Sequence, residues 1–100
     1  ITDAGAALDL AMSARYETGA SRLAIDKRLV CSDFFILSTG VAGDILQKLM
    51  NYRFKAAIYG DYSHYTSKPL RDFIRESNHG KDFFFVSTME EAVQRLTDAE

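Results

Sequence analysis

Three short, almost unbroken apolar runs, Leu23-Ala24-Ile25, Phe54 to Tyr59 and Phe83-Phe84-Phe85-Val86, are separated by longer stretches whose apolar residues recur every three or four positions. A strand with one wet face would alternate polar and apolar residues. These runs do not alternate, so they read as strands covered on both sides. Strands of that kind, alternating with helices, pair in parallel and use the helices as cover.

The intervening segments supply four helices. The first is expected from Asp3 to about Tyr16, with Thr2 or Asp3 as cap, and an apolar stripe of Ala4, Ala7, Leu8, Ala11 and Met12. Thr18-Gly19 closes it, because glycine enters the left-handed region without a Cβ penalty. Ser32 and Asp33 read as the cap of a short turn carrying Phe34 and Phe35. After Ser38-Thr39-Gly40 a helix runs from Val41 to Asn51 on Val41, Ala42, Ile45, Leu46, Leu49 and Met50. Ser67 caps the third helix, whose first turn tolerates Pro69, and Asn78-His79-Gly80 stops it. Ser87 with Glu90 forms a capping box ahead of a last helix carrying Met89, Ala92, Val93 and Leu96.

The fold class expected is therefore α/β, in a single domain over residues 1–100: a mainly parallel sheet with three strands visible and four helices. Three strands make a narrow floor for four helices, so one or two further strands are expected ahead of Ile1 or from a partner chain. Composition removes several functional classes. Lys and Arg number 12 against 14 Asp and Glu, a net charge of −2, so no global field favours nucleic acid or an anionic membrane. No apolar run approaches the about 20 residues of a membrane-spanning helix. The start at Ile1 shows no basic segment followed by an apolar one, and a lone Cys31 forms no internal disulfide, so the cytoplasm is the expected compartment.

Candidate chemistry gathers where predicted strands end. In open parallel sheets ligands collect beyond the strand carboxyl ends, and Asp26, Asp61 and Ser87 occupy those places. The richest loop holds Gly60, Asp61, Tyr62, His64 and Tyr65, followed by Ser67, and combines a carboxylate, an imidazole and phenols. Ser38-Thr39-Gly40 precedes a helix, where unpaired amides favour an anion. Ser38, Thr39, Gly40, Asp61, Tyr62, Tyr65 and Ser67 are accordingly the ligand- or anion-binding candidates. Cys31, His64 and His79 are too scattered for a thiolate pair or a metal site, so no metal, cofactor or catalytic residue is expected. Lys68, Arg71 and Arg75 lie near one helix face, but Asp72 and Glu76 interleave with them, and the segment reads as a mixed-charge solvated surface.

The blocks from Phe34 to Lys48 and from Asn51 to Asp61, then Tyr65, Ser67-Lys68, Leu70 to Ile74, Glu76-Ser77-Asn78 and Phe85-Val86, resemble a bacterial family, domain of unknown function 4180, over nearly the whole chain. Members of that family carry two more strands ahead of the first helix, which the resemblance implies would widen the sheet. A looser resemblance is to the STAS domains of anti-sigma factor antagonists. Leu37-Ser38-Thr39-Gly40-Val41 looks like their strand-to-helix turn, with Leu37 where that motif has an aspartate. It implies Ser38 or Thr39 as phosphorylated hydroxyls with a docking helix behind them. The function expected is thus a STAS-like regulatory domain binding a protein partner or a second copy of itself. The alternative is a small-ligand or anion sensor, or a weakly active enzyme, at the strand ends.

Overall fold

The computed structural model describes residues 4–99. Helix α1 (Ala4–Thr18) leads to strand β1 (Arg22–Asp26); three short 3-10 turns (Lys27–Leu29, Ser32–Phe35, Leu37–Thr39) precede α2 (Val41–Asn51) and β2 (Lys55–Tyr59). Then come α3 (Lys68–His79), β3 (Phe83–Val86) and α4 (Met89–Asp98). The strands form one parallel sheet in the order β1-β2-β3, with Ile25 beside Ile58 and Ile58 beside Phe85. The protein is a small α/β fold in which helices cover both sheet faces, as the unbroken apolar runs require; all four residues of β3 are buried.

The two faces differ. On one, Ile25, Ala56, Ile58, Phe83 and Phe85 pack under Ala7 and Ala11 of α1, Ala42, Ile45, Leu46 and Leu49 of α2, Leu70 of α3, and the turn residues Phe34 and Phe35. On the other, Ala57, Phe84 and Val86 meet Ala92 and Leu96 of α4, with Tyr59 and Ala99 packed alongside. A three-stranded floor is too narrow to cover whole helical stripes. Met12, Met50, Met89 and Val93, read from spacing as core, therefore remain exposed at their flanks.

Local signals resolve as follows. Gly19 takes φ 74° after α1, and its N–H bonds the carbonyl of Arg15. Ser67 caps α3 through the N–H of Leu70. The cap of α4 is Thr88, whose hydroxyl accepts from the N–H of Glu91, one residue beyond the expected Ser87–Glu90 pair. Ser32 lies inside its 3-10 turn, and Cys31 precedes that turn without a side-chain capping bond. Phe54 is buried just ahead of β2 rather than within it. The proposed caps Thr2 and Asp3 lie outside the described residues, as does the side chain of Ala4.

Candidate functional site

Strand β2 ends at Tyr59, and the chain then turns tightly. The N–H of Gly60 bonds the carbonyl of Val86 at 3.0 Å, and Gly60 adopts φ 158° against the side chain of Lys27. Asp61 closes the next turn by accepting the N–H of Ser63 at 2.8 Å. Bonds from the Ser63 hydroxyl and N–H hold the Asp61 carboxyl below its usual range. Two phenols follow. The Tyr62 ring stands edge-on to Phe85, and its hydroxyl donates to the carbonyl of Ile58 at 2.8 Å. Burial raises its pKa, so the phenol stays protonated at neutral pH. The Tyr65 ring stacks on Phe35 at 5.2 Å between centroids. The ammonium of Lys27 lies among the rings of Phe35, Tyr62 and Tyr65, at 5.3, 5.7 and 4.8 Å, which ties the loop to the segment after β1.

This braced loop forms one wall of an open cleft. Helix α3 forms the next wall, because Arg71, Ile74, Arg75 and Asn78 recur at helical spacing and share a face. The third comes from α4 on the opposite side of the sheet. Arg95 stacks its guanidinium over the Phe84 ring, 4.4 Å from the centroid, and donates to the backbone carbonyl of Asn78. The cleft encloses about 590 Å³ and also takes in Tyr62, Ser63, Tyr65, Thr66 and His79.

Its electrostatics are one-sided. Among the described residues three guanidiniums line it and no carboxylate does, although the chain as a whole carries a net charge of −2. Asp72 sits beside the cleft and pairs with Lys68 at 2.9 Å and Arg75 at 3.0 Å. Its pKa is lowered, chiefly by the hydrogen bond from Lys68. Arg71 forms no ion pair among the described residues. It also borders an adjoining depression with Thr66, Lys68, Asp72 and Arg75. Guanidiniums in this arrangement offer planar, always-charged donors to a carboxylate or phosphate.

Of the residues singled out in the sequence, Tyr62 and Tyr65 line the cleft. Asp61 lies outside it, in a neighbouring depression with Gly60, Tyr62, Ser63 and Ser87. Ser67 is engaged as the α3 cap. Ser38, Thr39 and Gly40 stand at the start of α2 and contribute to neither lining. The Thr39 hydroxyl bonds the carbonyls of Asp33 and Ile36, both at 2.8 Å, and accepts from the N–H of Val41. His64 packs on the Tyr65 ring. Arg95 carries no signal of a site in the sequence, and Asn78 offers a polar group that helix termination already explains; Arg71 and Arg75 share a helix face with Lys68, but the interleaved Asp72 and Glu76 mask it. Among the described residues no group of three or more His, Cys, Asp or Glu could hold a metal ion, and no helix is long and apolar enough to cross a membrane.

One family model, described as a domain of unknown function (DUF4180), matches residues 1–96. No curated protein and no solved structure matches the chain.

Proposed function

The chain belongs to the DUF4180 family, and we propose that this domain binds a small oxyanion-bearing molecule, a phosphate or polycarboxylate compound, in the cleft between α3 and α4. The observation that carries this reading is the convergence of Arg71, Arg75 and Arg95 from two helices on a lining that holds no carboxylate among the described residues. A volume of about 590 Å³ suits a metabolite-sized ligand. Tyr65 and Thr66 add neutral hydroxyls that orient rather than attract.

Binding is favoured over catalysis by the state of the polar groups. The Tyr62 phenol is protonated and engaged with a backbone carbonyl, so it is no general base. The cleft is favoured over the Ser38–Thr39 turn because the Thr39 hydroxyl is already held by three backbone groups. Thermal denaturation against inorganic phosphate, pyrophosphate, nucleoside phosphates and di- and tricarboxylates, at constant ionic strength, tests the proposal. A true ligand at a hundredfold its dissociation constant adds about 2.7 kcal/mol of stability. A melting temperature unmoved by every member of that panel contradicts it.

A further inference from the structure

The α3 wall of the cleft is a single row. Arg71, Arg75 and His79 follow at intervals of four residues, a spacing that stacks side chains along one helix face, and all three line the cleft. Two members of the row carry a permanent charge. The third is an imidazole, the side chain whose ordinary titration spans neutral pH. His79 is exposed, ends α3, and makes no hydrogen bond or ion pair among the described residues. Its ring nitrogens are open to whatever enters the cleft.

We infer, resting on the oxyanion reading above, that His79 is a conditional fourth cation of this cleft: its imidazole takes up a proton as the ligand's anion seats, so that anion capture is coupled to proton uptake. Without a ligand the influences on the imidazole oppose one another. Arg71 and Arg75 on its own row and Arg95 from α4 disfavour a further positive charge, whereas the carbonyl end of α3 favours one. From the loop wall Tyr62 and Tyr65 present phenol groups. Glu76, one turn earlier on α3, lies outside the lining, and Lys81 and Asp98 border a separate depression behind Arg95. Asp72 is paired with Lys68 and Arg75, Asp82 with Lys55, and Asp61 accepts the N–H of Ser63. An oxyanion entering the cleft therefore tips the balance, and the proton it draws in adds a charge-assisted hydrogen bond. By linkage, affinity rises as pH falls through the imidazole range. His64, the other histidine of the chain, packs on the Tyr65 ring outside the lining and takes no part.

Calorimetric titration of pyrophosphate at constant ionic strength, from about pH 8 to about pH 5.5, into the wild type and three variants tests the coupling. Pyrophosphate itself takes up protons over this range. The readout is therefore the ratio of affinities between two proteins at each pH, in which the ligand's own titration cancels. The wild type is expected to match His79→Gln within about twofold at the alkaline end and to bind about tenfold more tightly at the acid end, the gain of one hydrogen bond to a charged group. His79→Lys, permanently charged, should keep an advantage of about tenfold over His79→Gln throughout. His64→Gln should follow the wild type. At neutral pH, titrations in buffers of different ionisation enthalpy should show the wild type taking up more protons on binding than His79→Gln. Melting temperatures establish that each protein is folded at each pH. A ratio of wild type to His79→Gln that does not change with pH, or a pH response lost in His64→Gln instead, overturns this inference and leaves the cleft reading standing. Absence of pyrophosphate binding at every pH overturns it as well, and with the rest of the oxyanion panel also silent the cleft reading falls too.

Discussion

The Asn78 side chain clasps the backbone of Phe85 from both sides, donating to its carbonyl at 3.0 Å and accepting its N–H at 2.7 Å. One side chain thereby acts as a one-residue strand. It fixes the last turn of α3 to the sheet edge and satisfies two partly buried backbone groups, while the backbone carbonyl of Asn78 receives Arg95 from α4. Asn78→Ala leaves both Phe85 groups without a protein partner and costs about 1–3 kcal/mol per buried unsatisfied group. Urea denaturation is expected to show that loss, with Asn78→Asp recovering only the bond from the Phe85 N–H.

The α4 cap separates two readings that look alike on paper. Ser87 with Glu90 and Thr88 with Glu91 both fit a capping box, and only the end of β3 at Val86 decides between them. Thr88→Ala is expected to destabilise by about 1 kcal/mol and Ser87→Ala by far less. Equal effects in the unfolding midpoints argue against Thr88 as the cap.

Much of the framework was legible because it rests on local rules. The bounds of α2, the Ser67 cap with Pro69, the Gly19 stop and the doubly covered β3 follow from periodicity, capping chemistry and the absence of alternation. The cleft was not, because it is tertiary. Asn78 looked like a helix terminator, and Arg95 lies on a helix across the sheet, brought beside Asn78 only when both helices pack around β3. Asp72 next to Arg71 suggested cancelled charge. In the fold it pairs with Lys68 and Arg75 instead and leaves Arg71 without an ion pair among the described residues. Periodicity also overstated the core, since Met89 and Val93 follow helical spacing yet overhang a sheet only three strands wide.

Gly60 lies where a side chain has no room. A Cβ there would stand 2.7 Å from the Cβ of Lys27, whose ammonium is held among three aromatic rings. Gly60→Ala must displace Lys27 or the loop, with an expected cost of about 1–3 kcal/mol. Lys27→Gly in the same chain relieves the overlap, so the double variant loses less stability than the two single variants combined. Simple additivity in a denaturation cycle speaks against the contact.

Acid is expected to weaken the fold through three aspartates. Asp26, Asp61 and Asp72 have their pKa values lowered from 3.8, chiefly by hydrogen bonds from Arg28, Ser63 and Lys68 respectively. A carboxyl depressed in the folded state binds fewer protons there than when unfolded. Its contribution is therefore present above the ordinary value and is lost as pH falls through that value toward the folded one. The urea midpoint should decline as pH is lowered across the ordinary carboxylate range, and each Asp→Asn variant should flatten part of that decline.

The arginine cleft is tested most directly by calorimetric titration of pyrophosphate into the wild type and into Arg71→Ala, whose guanidinium borders the cleft and forms no described ion pair. The expected result is saturable binding to the wild type that weakens as salt is raised. Arg71→Ala should then bind at least about tenfold more weakly, in line with about 1.5–3 kcal/mol for a charged hydrogen bond, while melting at the same temperature as the wild type. Saturable binding of equal affinity to both proteins, or no heat of binding to either by pyrophosphate and the rest of the oxyanion panel, would contradict the account.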